Sequence, residues 1–322
     1  MVHGKNRDAW LERSAAASVG SDDYRTLVTE IELVAPCSQN DNRSKWANVT
    51  IATKSIKVLS REFASNKRYK PPGFTTEAYD KNEPKNRYND IICIDATRVV
   101  LRDRPSDDDY IHASWITMPD HFKYICTQGP LLETLEDFWH MIFCERSTVL
   151  VQLCNFVEGK HEKCRQYFPK SKGASETYGA YKVTYKEAKP DPYDSVKHTV
   201  LEVIKKPDHN CESLRLLGVA RPYCPRKPCT DAIDYAWQKI RENPETKMIE
   251  VLKELRKQRY QAIQSPIQYI FLHMCVLELA AEENLVPRKG KYTPYLNSYQ
   301  TMLRRYNKKV AAAEAKMEKA ES

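Results

Sequence analysis

Asp109-Tyr110-Ile111-His112-Ala113-Ser114-Trp115-Ile116, followed by Tyr124-Ile125-Cys126-Thr127-Gln128-Gly129-Pro130, decides the class of fold. Both stretches hold short runs of β-branched and aromatic residues, the character of strands buried on both faces. Working outward, Ile91-Ile92-Cys93-Ile94 and Val149-Leu150-Val151-Gln152-Leu153 predict further strands of the same kind. Between them, Thr134 to Phe143 sets Leu135, Phe138, Trp139 and Ile142 at helical spacing. Tyr181-Lys182-Val183-Thr184-Tyr185 and Thr199 to Ile204 alternate as antiparallel strands do. From Ser213 onward the pattern predicts helices over 213–220, 231–242, 246–258 and 266–282, the last carrying Ile267, Ile270, Phe271, Met274 and Leu277. Upstream, Val58, Leu59, Phe63 and Tyr69 predict an amphipathic helix from Ile56, stopped by Pro71-Pro72-Gly73. Strands interspersed with helices, then helices alone, predict a mixed α/β domain over 56–283. A polar extension, partly helical at best, precedes it over 1–55, and a basic helical tail follows over 284–322.

Bulk properties narrow the function classes. The chain has 322 residues, 41% apolar and 29% charged, an ordinary globular composition. Its net charge of +8 suits an acidic partner, a phosphorylated peptide included, but does not by itself separate that from nucleic acid or an anionic membrane. The 10 cysteines show no CxxC pair and no His/Cys ligand spacing, so no metal site and no cofactor is expected. Cys126, Cys144 and Cys154 sit among apolar neighbours, as free buried thiols of a reducing compartment do. The first residues contain no long apolar run, so neither a signal peptide nor a membrane span is expected, and the location expected is cytoplasmic.

Six short motifs then follow one another in a definite order. Lys85-Asn86-Arg87-Tyr88-Asn89-Asp90 comes first, then Asp109-Tyr110-Ile111-His112-Ala113-Ser114, then Tyr124 to Pro130, then Thr134 to Met141. Glu158 to Pro169, containing Cys164-Arg165-Gln166-Tyr167-Phe168-Pro169, is the fifth. Arg256-Lys257-Gln258-Arg259 with Gln264-Ser265-Pro266-Ile267-Gln268 is the last. Together they resemble the classical protein tyrosine phosphatases, in the non-receptor style. The resemblance implies a highly twisted mixed sheet flanked by helices. It also implies that Tyr88 stacks on the phosphotyrosine ring, that Asp90 holds the peptide backbone, and that Gln264 orients the hydrolytic water. His112 stands where that family usually has Asn.

The family's chemistry needs a cysteine thiolate of lowered pKa, an arginine closing the same loop around the phosphoryl oxygens, and an aspartic acid on a Trp-Pro-Asp loop. No His-Cys pair occurs anywhere in the sequence. Arg221-Pro222-Tyr223-Cys224-Pro225-Arg226-Lys227-Pro228 runs straight into Cys229-Thr230-Asp231-Ala232-Ile233-Asp234-Tyr235, which resembles the helix that follows the catalytic loop. Strand, nucleophile, cradle and arginine are all missing between well-formed flanks, so the domain is internally shortened near 204–231. Cys37 to Arg43 is formally Cys-x5-Arg but lacks the glycine of a tight turn. Cys229, with Thr230 as a cap, has no arginine at the needed spacing, and neither do Cys211 and Cys224. Pro207-Asp208-His209 matches part of the acid loop, with Lys206 in the tryptophan's place, so Asp208 is either a remnant of the acid or a chance match.

The expected function is therefore that of a family member inactive in this form, whether through splicing, an imperfect gene model or genuine decay. Its expected partners are phosphotyrosine proteins or peptides, held weakly, with no nucleic acid and an oligomeric state left open. Two alternatives stand beside it. One is an active phosphatase whose longer product carries the missing segment. The other is a basic tail that binds acidic partners or lipid. Losing a central strand removes roughly 1.5–3 kcal/mol for each buried large side chain, against a net stability of about 5–15 kcal/mol. Calorimetry of the purified chain is expected to show unfolding well below that of a relative with the segment intact, or a partly molten state. One sharp transition at an ordinary mesophile temperature would contradict this.

Overall fold

The computed structural model describes residues 40–190, 197–206, 213–220 and 230–321. Their contacts fall into two units. The first takes the described residues of 69–232 with 252–263, and the second those of 40–68, 233–251 and 264–321.

Two helices open the second unit, each begun by a side chain that accepts a backbone N–H its helix leaves free. Asp41 does this for α1 (Asn42–Thr53) and Ser55 for α2 (Ile56–Asn66). The polar extension expected here thus carries a full helix, because Trp46, Ala47 and Thr50 bury one stripe of it. Trp46 also donates from Nε1 to the Thr246 carbonyl at 2.9 Å.

The first unit begins with α3 (Glu77–Lys81) and a three-stranded antiparallel sheet. Its strands are β1 (Arg98–Val100), β2 (Tyr110–Thr117) and β3 (Lys123–Thr127), in that order. With a neighbour on each side, β2 is buried along nearly its whole length, as its sequence predicts. Ile91–Ile94, expected as a strand, joins no described ladder; Cys93 and Ile94 are buried without extending the sheet. Then α4 (Leu135–Cys144) drives Phe138, Trp139 and Ile142 into the core, with Trp139 Nε1 donating to the Tyr167 carbonyl at 2.8 Å. Next come β4 (Val149–Gln152) and a small hairpin of β5 (Val157–Glu158) with β6 (His161–Glu162).

A second sheet, in the order β4-β10-β9-β8-β7, adds β7 (Ser175–Tyr178), β8 (Tyr181–Lys189), β9 (Lys197–Lys205) and β10 (Ser213–Ala220). It is mixed: β10 runs parallel to β4 and antiparallel to β9. The helix expected over 213–220 is this strand β10. Its leucines and arginine favour a helix locally, but Leu214 and Leu216 are buried while Ser213 and Arg215 are exposed. That period of two meets β9 residue for residue, Leu214 opposite Val203 and Leu216 opposite Leu201, so tertiary pairing overrides propensity.

Four helices complete the described chain: α5 (Thr230–Glu242), α6 (Met248–Gln258), α7 (Pro266–Glu282) and α8 (Tyr292–Glu321). Ser265 and Gln268 form a capping box that starts α7. In the second unit Phe63 of α2 packs on Tyr269, with ring centroids 5.8 Å apart, and Tyr269 donates its hydroxyl to Glu62 at 3.1 Å. No described helix is long and apolar enough to cross a membrane.

Each sheet ends in a bare edge. Among the described residues β3 pairs only with β2, and β4 only with β10. The sequence predicts β4 as buried on both faces, yet Val149 and Val151 are each 41% exposed, and no described strand lies beyond them. Chemical denaturation of two variants tests this. Val151→Lys is expected to cost less than about 0.5 kcal/mol. Val183→Lys, at a position 0% exposed, is expected to prevent folding. A cost of several kcal/mol for Val151→Lys would mean that the β4 edge is covered.

Candidate functional site

The loop carrying Tyr88 and Asp90 is fixed by side chains that close on main-chain groups. Gln128, just past β3, works in both directions: its Nε2 donates to the Lys85 carbonyl at 2.8 Å and its Oε1 accepts the Arg87 N–H at 2.9 Å. The Arg87 guanidinium donates to three carbonyls: Gly129 at 3.1 Å, Pro130 at 2.7 Å and Glu162 at 2.9 Å. Gly129 has to be glycine here, since a Cβ on it would lie 2.6 Å from the Lys163 carbonyl oxygen. Tyr79 donates its hydroxyl to the Tyr88 carbonyl at 3.1 Å, and Tyr110 donates to Asn86 Oδ1 at 2.6 Å.

Below the loop, charge is balanced at close range. Lys85 Nζ lies 2.9 Å from Asp108 and 3.1 Å from Asp137, and Arg104 meets Asp137 at 2.6 Å. Asp137 is 4% exposed, so a buried carboxylate is matched by two cations. The Arg104 and Lys85 partners hold the Asp108 carboxyl below its ordinary value, the Lys85 hydrogen bond foremost.

What this framework presents is one aromatic face. The Tyr88 ring is 39% exposed, with the Lys163 ammonium 5.7 Å from its centroid, and Asn89 and Asp90 are exposed beside it. A flat ring stacks on such a face, and the ammonium adds attraction for an anionic substituent.

The chemistry of a nucleophile is a different matter. Burial pushes the thiols of Cys93, Cys126 and Cys144 above their ordinary value. The Cys164 thiol is pushed up by its hydrogen bond with Cys154 and by burial. These four are protonated at neutral pH, where a catalytic cysteine needs the opposite shift. Cys126 Sγ donates to Asp231 Oδ2 at 3.6 Å. Arg259 donates to the Cys126 carbonyl at 2.8 Å and the Ser114 hydroxyl at 3.2 Å. Burial pushes the Asp231 carboxyl up, while Cys126, backbone N–H groups and Arg259 pull it down. The sequence reading missed this carboxylate, although an acid in the first turn of α5 is a visible signal.

The remaining candidates have surroundings of their own. Gln264 belongs to the second unit, is exposed, and donates its backbone N–H to Gln268 Oε1 at 2.7 Å. Just before it, Ile263 holds a left-handed φ of 57°, rare for a β-branched residue. The buried Arg256 secures that turn, donating to the Ala262 and Ile263 carbonyls at 3.1 and 2.8 Å. His112 is buried, its Nε2 2.8 Å from the Ile91 carbonyl, and burial lowers its pKa to about 4. Arg43 is committed elsewhere: it pairs with Asp41 at 2.7 Å and Glu283 at 2.5 Å and lies 5.0 Å over the Trp237 ring. That removes the arginine from the formal Cys37-to-Arg43 cradle. Cys37, Asp208, Cys211, Cys224 and Cys229 fall outside the described residues. Among the described residues no cluster of three His, Cys, Asp or Glu side chains is placed to hold a metal.

A family model described as protein-tyrosine phosphatase matches residues 82–217 and 224–278. Mouse tyrosine-protein phosphatase non-receptor type 9 is 29% identical over 291 residues, covering 74% of this chain and 49% of its own length. Rat tyrosine-protein phosphatase non-receptor type 20 is 30% identical over 259 residues, 69% of this chain and 60% of its own. The chain thus spans about half the length of curated relatives it matches. Among solved structures, the catalytic domain of human protein tyrosine phosphatase non-receptor type 18 matches in fold with a TM-score of 0.62 at 22% identity, covering 74% of this chain and 99% of that one. PTPN18 in complex with HER2 phospho-peptides matches with a TM-score of 0.64 at 24% identity and the same coverage.

Arg87→Ala is expected to lower stability by on the order of 2–3 kcal/mol, since two half-buried carbonyls and one exposed one lose a charged donor. Denaturant titration measures the loss. A change within about 0.5 kcal/mol would mean that the guanidinium does not hold the loop.

Proposed function

This chain belongs to the classical, non-receptor-type protein-tyrosine phosphatase family, and on that premise we propose that it is catalytically silent in this form and retains a weak phosphotyrosine-facing surface. The observation that carries the proposal is the pairing of an intact aromatic loop with a missing cradle. Tyr88 and Asp90 stand exposed on a loop held by Arg87 and Gln128. No cysteine in the sequence opens a glycine-containing Cys-x5-Arg loop.

Three further points support the reading. The family match is interrupted at 218–223, where the sequence passes directly towards the helix that should follow the cradle. The strands on either side of Asp208 pair with each other, Ser213 opposite Ile204. The family's acid loop follows such a hairpin, whereas Asp208 lies between its strands, so we read it as a chance match. Finally, among the described residues β3 and β4 each end a sheet unpaired on one side, as two neighbours of a lost central strand would.

Binding in this state rests on the Tyr88 face, the Asp90 carboxylate and the Lys163 ammonium. One ammonium replaces the bidentate arginine and amide nest that supply most phosphate affinity. Affinity for phosphotyrosine proteins or peptides is therefore low. Gln264 has no phosphoenzyme on which to direct water. No nucleic-acid role, no cofactor and a cytoplasmic setting complete the proposal.

Two assays test it. Incubation with a phosphotyrosine peptide is expected to release no phosphate above background. Fluorescence polarisation is expected to show weak binding that Tyr88→Ala abolishes. Vanadate-sensitive turnover, lost on substituting one named cysteine, would overturn the claim of silence. Equal binding by the Tyr88→Ala variant would remove the proposed surface.

A further inference from the structure

Helix α8 runs from Tyr292 to Glu321, 30 residues or about 45 Å. Among its described side chains the buried ones lie in the first part: Tyr292, Tyr295 and Tyr299 are buried in the second unit, whereas Tyr306 is 38% exposed. The apolar positions do not stop where the burial does. Leu303, Val310 and Met317 recur every seven residues, and Tyr306, Ala313 and Ala320 recur three residues after each. These are the a and d positions of a heptad repeat, the seam of a two-stranded coiled coil.

The flanking positions say what the seam meets. In this register Lys309 and Lys316 occupy g, while Glu314 and Glu321 occupy e. A parallel pair of identical helices brings each g residue against the e residue five positions on in its partner. In that register position 309 meets position 314 of the second copy and position 316 meets position 321, and symmetry makes both pairings twice. An antiparallel pair would set e against e and g against g, glutamate near glutamate and lysine near lysine. Arg304, Arg305 and Lys308 fall at b, c and f, directed away from the seam. This is charge complementarity of the helix with itself in one orientation. An acidic protein or an anionic membrane would make no use of the glutamates.

We propose that the distal half of α8, from Leu303 to Ala320, pairs in parallel with the same segment of a second copy of this chain. The seam is short, about 26 Å, and alanine fills two of its three d positions, so the dimer is weak and concentration-dependent. The pairing stands independently of the phosphotyrosine-facing reading, since it uses none of that surface.

Analytical ultracentrifugation of the full chain over a range of concentrations tests the proposal. A monomer–dimer equilibrium is expected, with Val310→Asp and Tyr306→Glu each shifting it to monomer while the thermal midpoint stays unchanged. Lys309→Glu is expected to weaken the dimer at least several-fold, and adding Glu314→Lys to restore it. Val310→Cys is expected to cross-link copy to copy on mild oxidation, which a parallel, in-register seam requires. A chain that is monomeric at every concentration overturns the proposal, and co-sedimentation of that monomer with phosphatidylserine–phosphatidylcholine vesicles would assign the helix to a membrane surface. A dimer that survives Val310→Asp and Tyr306→Glu overturns it equally.

Discussion

Backbone groups on a sheet need a partner on each side, and among the described residues β3 and β4 each have a strand on one side alone. This single constraint organises the first unit. It divides the strands into a sheet of three and a sheet of five, and it leaves Val149 and Val151 outward on a strand whose composition suits an interior. Natural edges are blunted by charge, proline or a bulge; Val149-Leu150-Val151-Gln152 carries none of the first two. An uncharged, β-branched edge is the signature of a strand made to be flanked. The family to which the chain belongs places its catalytic strand centrally, so the two bare edges and the missing cysteine loop have one cause in our reading.

The loop carrying Tyr88 and Asp90 draws its supports from chain close to it in sequence and from the hairpin that follows β4. Arg87 and Gln128 bind main chain between Lys85 and Glu162, and the Lys85–Asp108–Arg104–Asp137 group lies in the same stretch. On the proposed reading, recognition and catalysis are physically separable. One rests on side chains closing on local carbonyls, the other on a strand–loop–helix unit that the sequence does not encode. The thiols of Cys93, Cys126, Cys144 and Cys164, pushed up by burial and, at Cys164, first by the hydrogen bond with Cys154, stay protonated at neutral pH.

Much of the fold was legible in the sequence where local pattern and tertiary role agree. The strands at Tyr110 and Tyr124, helix α4 and helix α7 all fall where periodicity places them. Pattern failed at 213–220, where leucine and arginine signal a helix and only the facing β9 makes a strand. It failed again at Ile91–Ile94, whose apolar run is buried without a ladder. The exposure of Val149 and Val151 was not readable locally, because it depends on what does not pair with them. In the candidate site, Tyr88 and Asp90 were visible as a motif; the Arg87 and Gln128 clamp and the Asp231 carboxylate beside Cys126 were not, since long-range contacts define them.

Native-state hydrogen exchange, read residue by residue, tests the central claim of two inner edges left bare. Along β3 and β4, amides that do not point at their one neighbouring strand are expected to exchange rapidly, while amides of β8 and β9 around Val183 and Val203, 0% exposed and flanked on both sides, exchange slowly. Uniform strong protection along both β3 and β4 would contradict the account, for it would mean that a strand lies between them after all.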